Sequence, residues 1–80
     1  MFLCYILYSA TLNRYYIGHC EAPVEQRLKK HLANHKGYTS KAKDWIVMHV
    51  ETYASKSEAY ARERYIKSRK SRAYIESLFC

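Results

Sequence analysis

Cysteine is scarce and oddly numbered in this sequence: Cys4, Cys20 and Cys80 are the three it has. An odd count without scaffold spacing fits reduced thiols in a reducing compartment better than a disulfide-knotted secreted domain, so a cytoplasmic protein is expected. No C-x-x-C pair accompanies Cys20, His31 and His35, which leaves a zinc centre short of its second pair of ligands. Repeats, linkers and low-complexity stretches are missing too. The apolar opening, Met1 to Tyr8, has no basic leader, is too short to span a bilayer and runs directly into a turn, so it is read as a strand and no membrane partner is expected.

Acidic residues are the other shortage. Seven Asp and Glu stand against fourteen Lys and Arg, a formal charge of +7, and a field of that sign attracts a polyanion over a Debye length. Nucleic acid is therefore the first partner to consider. Eighty residues make one domain, 1–80, and a chain of this size buries only about 60 to 65% of its unfolded surface, so the core must be thin.

Residues 2 to 9 and 15 to 20 are rich in Tyr, Ile, Leu and Cys and flank Thr11-Leu12-Asn13-Arg14, which predicts a β-hairpin. Period-2 alternation puts Leu3, Tyr5 and Leu7 on one face and Cys4, Ile6 and Tyr8 on the other; both are apolar, so both should be covered. Pro23 suits a first helical turn, and Val24, Leu28 and Leu32 form a core stripe through residues 23 to 35. A lysine-rich loop containing Gly37 leads to Trp45 through Tyr53, whose β-branched and aromatic content predicts a third strand. Ser55-x-x-Glu58 has capping-box spacing, so a helix should start there and run to about Lys67. A last helix over roughly 70 to 79 should turn Ala73, Tyr74, Leu78 and Phe79 inward, with a break near Ser68. The order is β-β-α-β-α-α, an α/β (α+β) arrangement.

At 100° per residue Glu63 falls between Ala59 and Ile66, which puts a carboxylate on the face that seeks the core and demands compensation. An ion pair with Lys67 at i+4 is the ordinary alternative, although it gives no reason to face inward. Arg27 and His31, four apart, share a face of the first helix beside its apolar stripe.

Leu3-Cys4-Tyr5 and Tyr16-Ile17-Gly18, with Arg27-x-x-x-His31 and Glu63 downstream, resemble the GIY-YIG nuclease domain over nearly the whole chain. The segments Tyr38 to Trp45, Ser57-Glu58-Ala59 with Glu63, and Lys67 to Arg72 are similar to the small stand-alone bacterial branch, akin to the N-terminal nuclease domain of the DNA-repair excinuclease. The resemblance implies a three-stranded antiparallel sheet flanked by helices, DNA as substrate, and one divalent metal, usually magnesium, on Glu63. It implies Tyr5 as general base, Arg27 as phosphate ligand, and Tyr16 and His31 orienting or sharing the proton path. Leu3 and Cys4 depart from the Gly-Ile of the first motif, and His19 and Cys20 follow Gly18 where small or hydroxyl residues are expected.

The chemistry makes the same demands independently: an activated water, neutralised nonbridging oxygens and a stabilised leaving alkoxide. One inward carboxylate favours one hard cation that keeps its waters, Mg²⁺ or Mn²⁺, and no small-molecule cofactor is called for. A phenol with a pKa of about 10 is only about 0.1% ionised at pH 7, so a base role requires help from a neighbouring cation or metal-bound water. Residues 26 to 43 hold six basic side chains and no acidic one, and Lys67, Arg69, Lys70 and Arg72 form a second cluster. Lys30, Lys41 and Lys43 from the first and these four from the second form the candidate DNA track.

Three functions compete: a metal-dependent endonuclease acting on branched, nicked or damaged DNA; a DNA-binding module of the same fold without efficient turnover or dependent on a partner; and, more distantly, a single-stranded RNA binder using sheet tyrosines as stacking platforms, for which no RNP-type sequence is present.

Overall fold

In the computed structural model, residues 1–21, 23–33 and 42–79 are described, with backbone alone for Arg27, Lys30 and residues 31–33. Strand β1 (Phe2–Ser9), strand β2 (Arg14–Glu21), helix α1 (Val24–Ala33), strand β3 (Ile46–Tyr53), helix α2 (Lys56–Arg69) and helix α3 (Arg72–Ser77) follow one another in the expected order. The sheet is antiparallel in order β2-β1-β3, so the first strand is central and β2 is an edge. Between Ile6 and Leu7 the register with β3 shifts, because Ile6 faces His49 and Leu7 faces Val47; Met48 is the extra residue of a bulge.

Both faces of β1 are covered, as the alternation predicts. Cys4 and Ile6 pack with Ile17 and Ile66, roofed by Tyr74, Ile75, Leu78 and Phe79 from the C-terminal end. Tyr5 and Leu7 pack on the opposite face with Ala42 and Trp45, joined by Tyr16, Val24 and Leu28. Every residue from Leu3 to Leu7 is at most 5% exposed, so this strand carries both thin cores. Burial, reinforced by the Glu51 and Glu63 carboxylates, pushes the Cys4 thiol up to about 12, which keeps it protonated and unreactive.

The helix boundaries have chemical causes. Ser55 caps α2, its hydroxyl accepting from the Glu58 N–H, which is the first half of the expected box, while the Glu58 carboxylate accepts from that hydroxyl at 2.9 Å. The break between helices falls at Lys70 rather than Ser68: Lys70 takes the left-handed conformation, φ 48°, and its N–H closes the turn on the Lys67 carbonyl. Ser71 caps α3 by accepting from the Tyr74 N–H. By helical period Ala73 lies about 140° around from Leu78 and Ile75 only about 60°, so Ala73, expected inward, is exposed and Ile75 takes its place in the core.

Polar ties fix the ends. Ser9, fully buried, donates to Asp44 at 2.6 Å, and Thr11 donates to the same carboxylate from its backbone N–H and its hydroxyl, pinning the hairpin turn to the approach to β3. At the middle of β3, Glu51 accepts from Arg62 at 2.8 Å and Tyr53 at 2.7 Å and contacts His49 at 2.9 Å, which ties α2 to the sheet. Burial raises the Glu51 carboxyl, but the hydrogen bonds from Arg62, Tyr53 and His49 outweigh it and hold it at about 2 against an ordinary 4.5. A lowered acid stabilises the fold above its ordinary value, and that stability is lost as pH falls from 4.5 through about 2. Glu51→Gln should therefore cost about 1 to 3 kcal/mol at pH 7 and show a shallower fall of melting temperature across that window. Melting curves from pH 7 to pH 2 check this, and parallel wild-type and variant profiles would refute it.

Candidate active site

The hairpin register sets the phenol half of the site. Tyr5 lies opposite Gly18, and Leu7 opposite Tyr16, so both tyrosines and the glycine share the face turned toward α1. The rings of Tyr5 and Tyr16 are 6.5 Å apart. Gly18 is required here for close approach: a Cβ added to it would come within 2.5 Å of the Tyr5 hydroxyl and 2.7 Å of Cζ. The phenol end of Tyr5 therefore lies across the edge strand in the space a side chain would fill. Tyr5 is 1% exposed, while Tyr16 is half-buried.

The acidic half comes from the other face. Ala59, Glu63 and Ile66 are the buried residues of α2, so the helical arithmetic that turned Glu63 inward holds. Its compensation is double. His19 Nδ1, projecting from β2, lies 2.5 Å from Oε1, where a ring N–H can donate to the carboxylate. Lys67 Nζ donates to Oε2 at 2.8 Å. Lys67 also stands 5.9 Å from the centre of the Tyr16 ring. Its ammonium thus reaches around the edge of β2 and joins the two halves, which the sheet would otherwise separate.

The Lys67 ion pair and the inward carboxylate, set against each other in the sequence, coexist. His19 is the residue whose weight the sequence understated. It stands out only as a departure after Gly18, and strand alternation, which puts it on the face opposite Gly18, is the signal that could have paired it with Glu63.

Arg27 and His31 sit one turn apart on α1, as their spacing requires; their side chains, that of Lys30, and all of Lys41 lie outside the described residues. Lys43 is exposed beside Asp44. In the C-terminal cluster, Arg69 stacks over Tyr74 at 5.2 Å, and Arg72 donates to the Asn13 carbonyl and side chain at 3.0 and 2.8 Å, so both have structural duties. Neither Cys4 nor Cys20 forms a disulfide. Among the described residues no helix is long and apolar enough to cross a membrane.

No group of three or more His, Cys, Asp or Glu gathers among the described residues. A cage made wholly of protein ligands is not what a hard, well-hydrated cation needs, since Mg²⁺ commonly takes one or two carboxylates and completes its shell with waters and substrate phosphate. Glu63 fits that role: it is an oxygen donor set at the sheet edge, and the cation now against it is a half-exposed ammonium on a flexible stem.

Comparison with known proteins bears on this geometry. No curated protein and no solved structure matches the chain significantly. Residues 1–75 match the family model described as the GIY-YIG catalytic domain, a span that takes in the phenol pair, Gly18, Arg27, His31 and Glu63. By that match, over nearly its whole length, the chain belongs to the GIY-YIG nuclease family.

Proposed function

We propose that this protein is a metal-dependent endonuclease that hydrolyses DNA phosphodiesters with one divalent ion and a tyrosine general base. The observation that carries the reading is the buried Glu63 carboxylate joined through Lys67 to the Tyr16 ring around the sheet edge. Family membership supports the reaction class, and the charge of +7 supports a polyanionic substrate.

Glu63 would hold the ion, Mg²⁺ or Mn²⁺, with His19 orienting its carboxylate. Held by Glu63, such an ion would supply positive charge to offset that on the scissile phosphate and the departing oxygen. Tyr5 and Tyr16 act as a pair: the more exposed Tyr16 takes a proton from the attacking water as it passes its own to Tyr5, which must enter the step as the phenolate and is the terminal acceptor. Arg27 neutralises a nonbridging oxygen and His31 shares the proton path, roles that the shared helix face allows. The narrower placement in the stand-alone bacterial branch, and a cytoplasmic location, rest on the loop and C-terminal segments and on cysteines kept as thiols.

Nicking of supercoiled plasmid in Mg²⁺ is the direct test. EDTA should abolish it, and Tyr5→Phe and Tyr16→Phe should each lower the rate by about 10² to 10⁴. Full activity in EDTA, or wild-type rates in both variants, would remove the mechanism.

One observation favours the second reading, a DNA-binding module without turnover: both oxygens of Glu63 are already engaged. Retained DNA binding with no nicking in either Mg²⁺ or Mn²⁺ would decide for it.

A further inference from the structure

On the face of β2 opposite the tyrosine pair, a groove of about 580 Å³ runs between the hairpin turn and the junction of α2 with α3. Its volume lies within the range of about 300 to 1,000 Å³ typical of sites for small organic groups. Half-buried Leu12, Tyr15 and Ile75, lying over the buried Ile17 and Ile66, contribute an apolar floor, and Arg14, Lys67, Lys70 and Arg72 stand around it with no acidic residue in the lining.

The four cations are not equivalent. Arg72 is bound to Asn13 and Glu76 and holds the groove's two walls together. Lys67 is paired with Glu63 and marks the end nearest the candidate active site. Arg14 and Lys70 have no side-chain partner among the described residues. Lys70 moreover occupies the left-handed position where glycine is usual and where a side chain costs about 1 to 2 kcal/mol, so the chain keeps an ammonium there against its local interest.

We propose that this groove takes an unpaired nucleotide of the DNA substrate: the base or sugar lies on the apolar floor, and the flanking phosphates meet Arg14 and Lys70. A flat phosphate track would need cations only. An apolar concavity ringed by cations matches a group with one apolar face and charges at both ends, which a base stacked inside a duplex does not present. The inference rests on the DNA-nuclease reading and narrows its substrate to duplexes that carry a single-stranded extension next to the cleavage point, with Lys67 as the boundary residue between groove and site.

The test is equilibrium binding, in EDTA so that no DNA is cut, of blunt duplex, duplex with a short single-stranded extension, and an RNA strand of the extension's length. Wild-type protein should bind the extended duplex at least tenfold more tightly than the blunt one. In the double variant Arg14→Ala, Lys70→Gly that ratio should fall to within twofold of one; glycine at 70 suits the left-handed backbone, and an unchanged circular dichroism melt verifies the fold. Equal loss on both duplexes identifies a general phosphate track and overturns the groove assignment. A preserved preference overturns it as well, and tighter binding of the RNA overturns the choice of DNA. Because cleavage plays no part in this measurement, the nuclease reading stands or falls separately, on plasmid nicking.

Discussion

Glu63→Gln is expected to lower plasmid cleavage by at least 10²-fold while leaving the protein folded. The substitution keeps the shape of the side chain and one oxygen, which Lys67 can approach while the amide NH2 faces His19 Nδ1 as acceptor in its other tautomer, but it removes the negative charge that would hold a divalent ion, a contribution of about 3 to 4 kcal/mol to transition-state stabilisation. Stability should change by less than about 1 kcal/mol, because the ion pair to half-exposed Lys67 is a weak one and neutralising a buried carboxylate removes a desolvation cost. The two readouts must diverge. A Glu63→Gln protein that melts like wild type and cuts at the wild-type rate would end the assignment of Glu63 as metal ligand.

Gly18→Ala carries the second large effect, and it arrives through packing. A methyl group at residue 18 would overlap the end of the Tyr5 ring at 2.5 to 2.7 Å and approach Tyr16 at 3.1 Å. Tyr5 is 1% exposed and enclosed by Leu7, Ala42 and Trp45, so its ring cannot swing aside without disturbing that core. Overpacking of this kind costs about 1 to 3 kcal/mol, a large share of the stability of so small a domain. Cleavage should fall by about 10²-fold or more even at temperatures where the variant is folded, since an ångström's displacement of a reacting group is enough to do this. Thermal melts paired with single-turnover cleavage separate the two losses. Wild-type stability in Gly18→Ala would contradict the close approach of Tyr5 to the strand backbone.

Much of this is legible in the sequence for local reasons. Strand β1 matches residues 2 to 9 because apolar residues on both faces can be satisfied only by a strand covered on both sides. Glu63 betrays itself because helical period alone decides its direction. The break between the last two helices lies two residues beyond the expected position, since lysine is not a residue from which a left-handed turn is expected; Ser71, which caps α3 as Ser55 caps α2, is the visible signal for it, but no glutamate three residues on completes a box there. The partnership of His19 with Glu63 spans 44 residues, and the reach of Lys67 around the edge strand depends on β2 lying outermost; neither follows from spacing along the chain. Arg14 escapes notice because a lone arginine at the end of a turn looks like ordinary surface charge until α3 is seen to fold beside it.

The central place of the first strand governs the order in which the molecule can be built. Its hairpin with β2 closes over a four-residue turn, whereas its pairing with β3 must wait for a partner about forty residues further on. During synthesis the two phenols and Gly18 can therefore meet early, on a ribbon still open along one side, and the carboxylate arrives last with the C-terminal third. A chain stalled before α2 would display assembled tyrosines without the carboxylate proposed to hold a cation, so on that reading it would be chemically silent until α2 has been made.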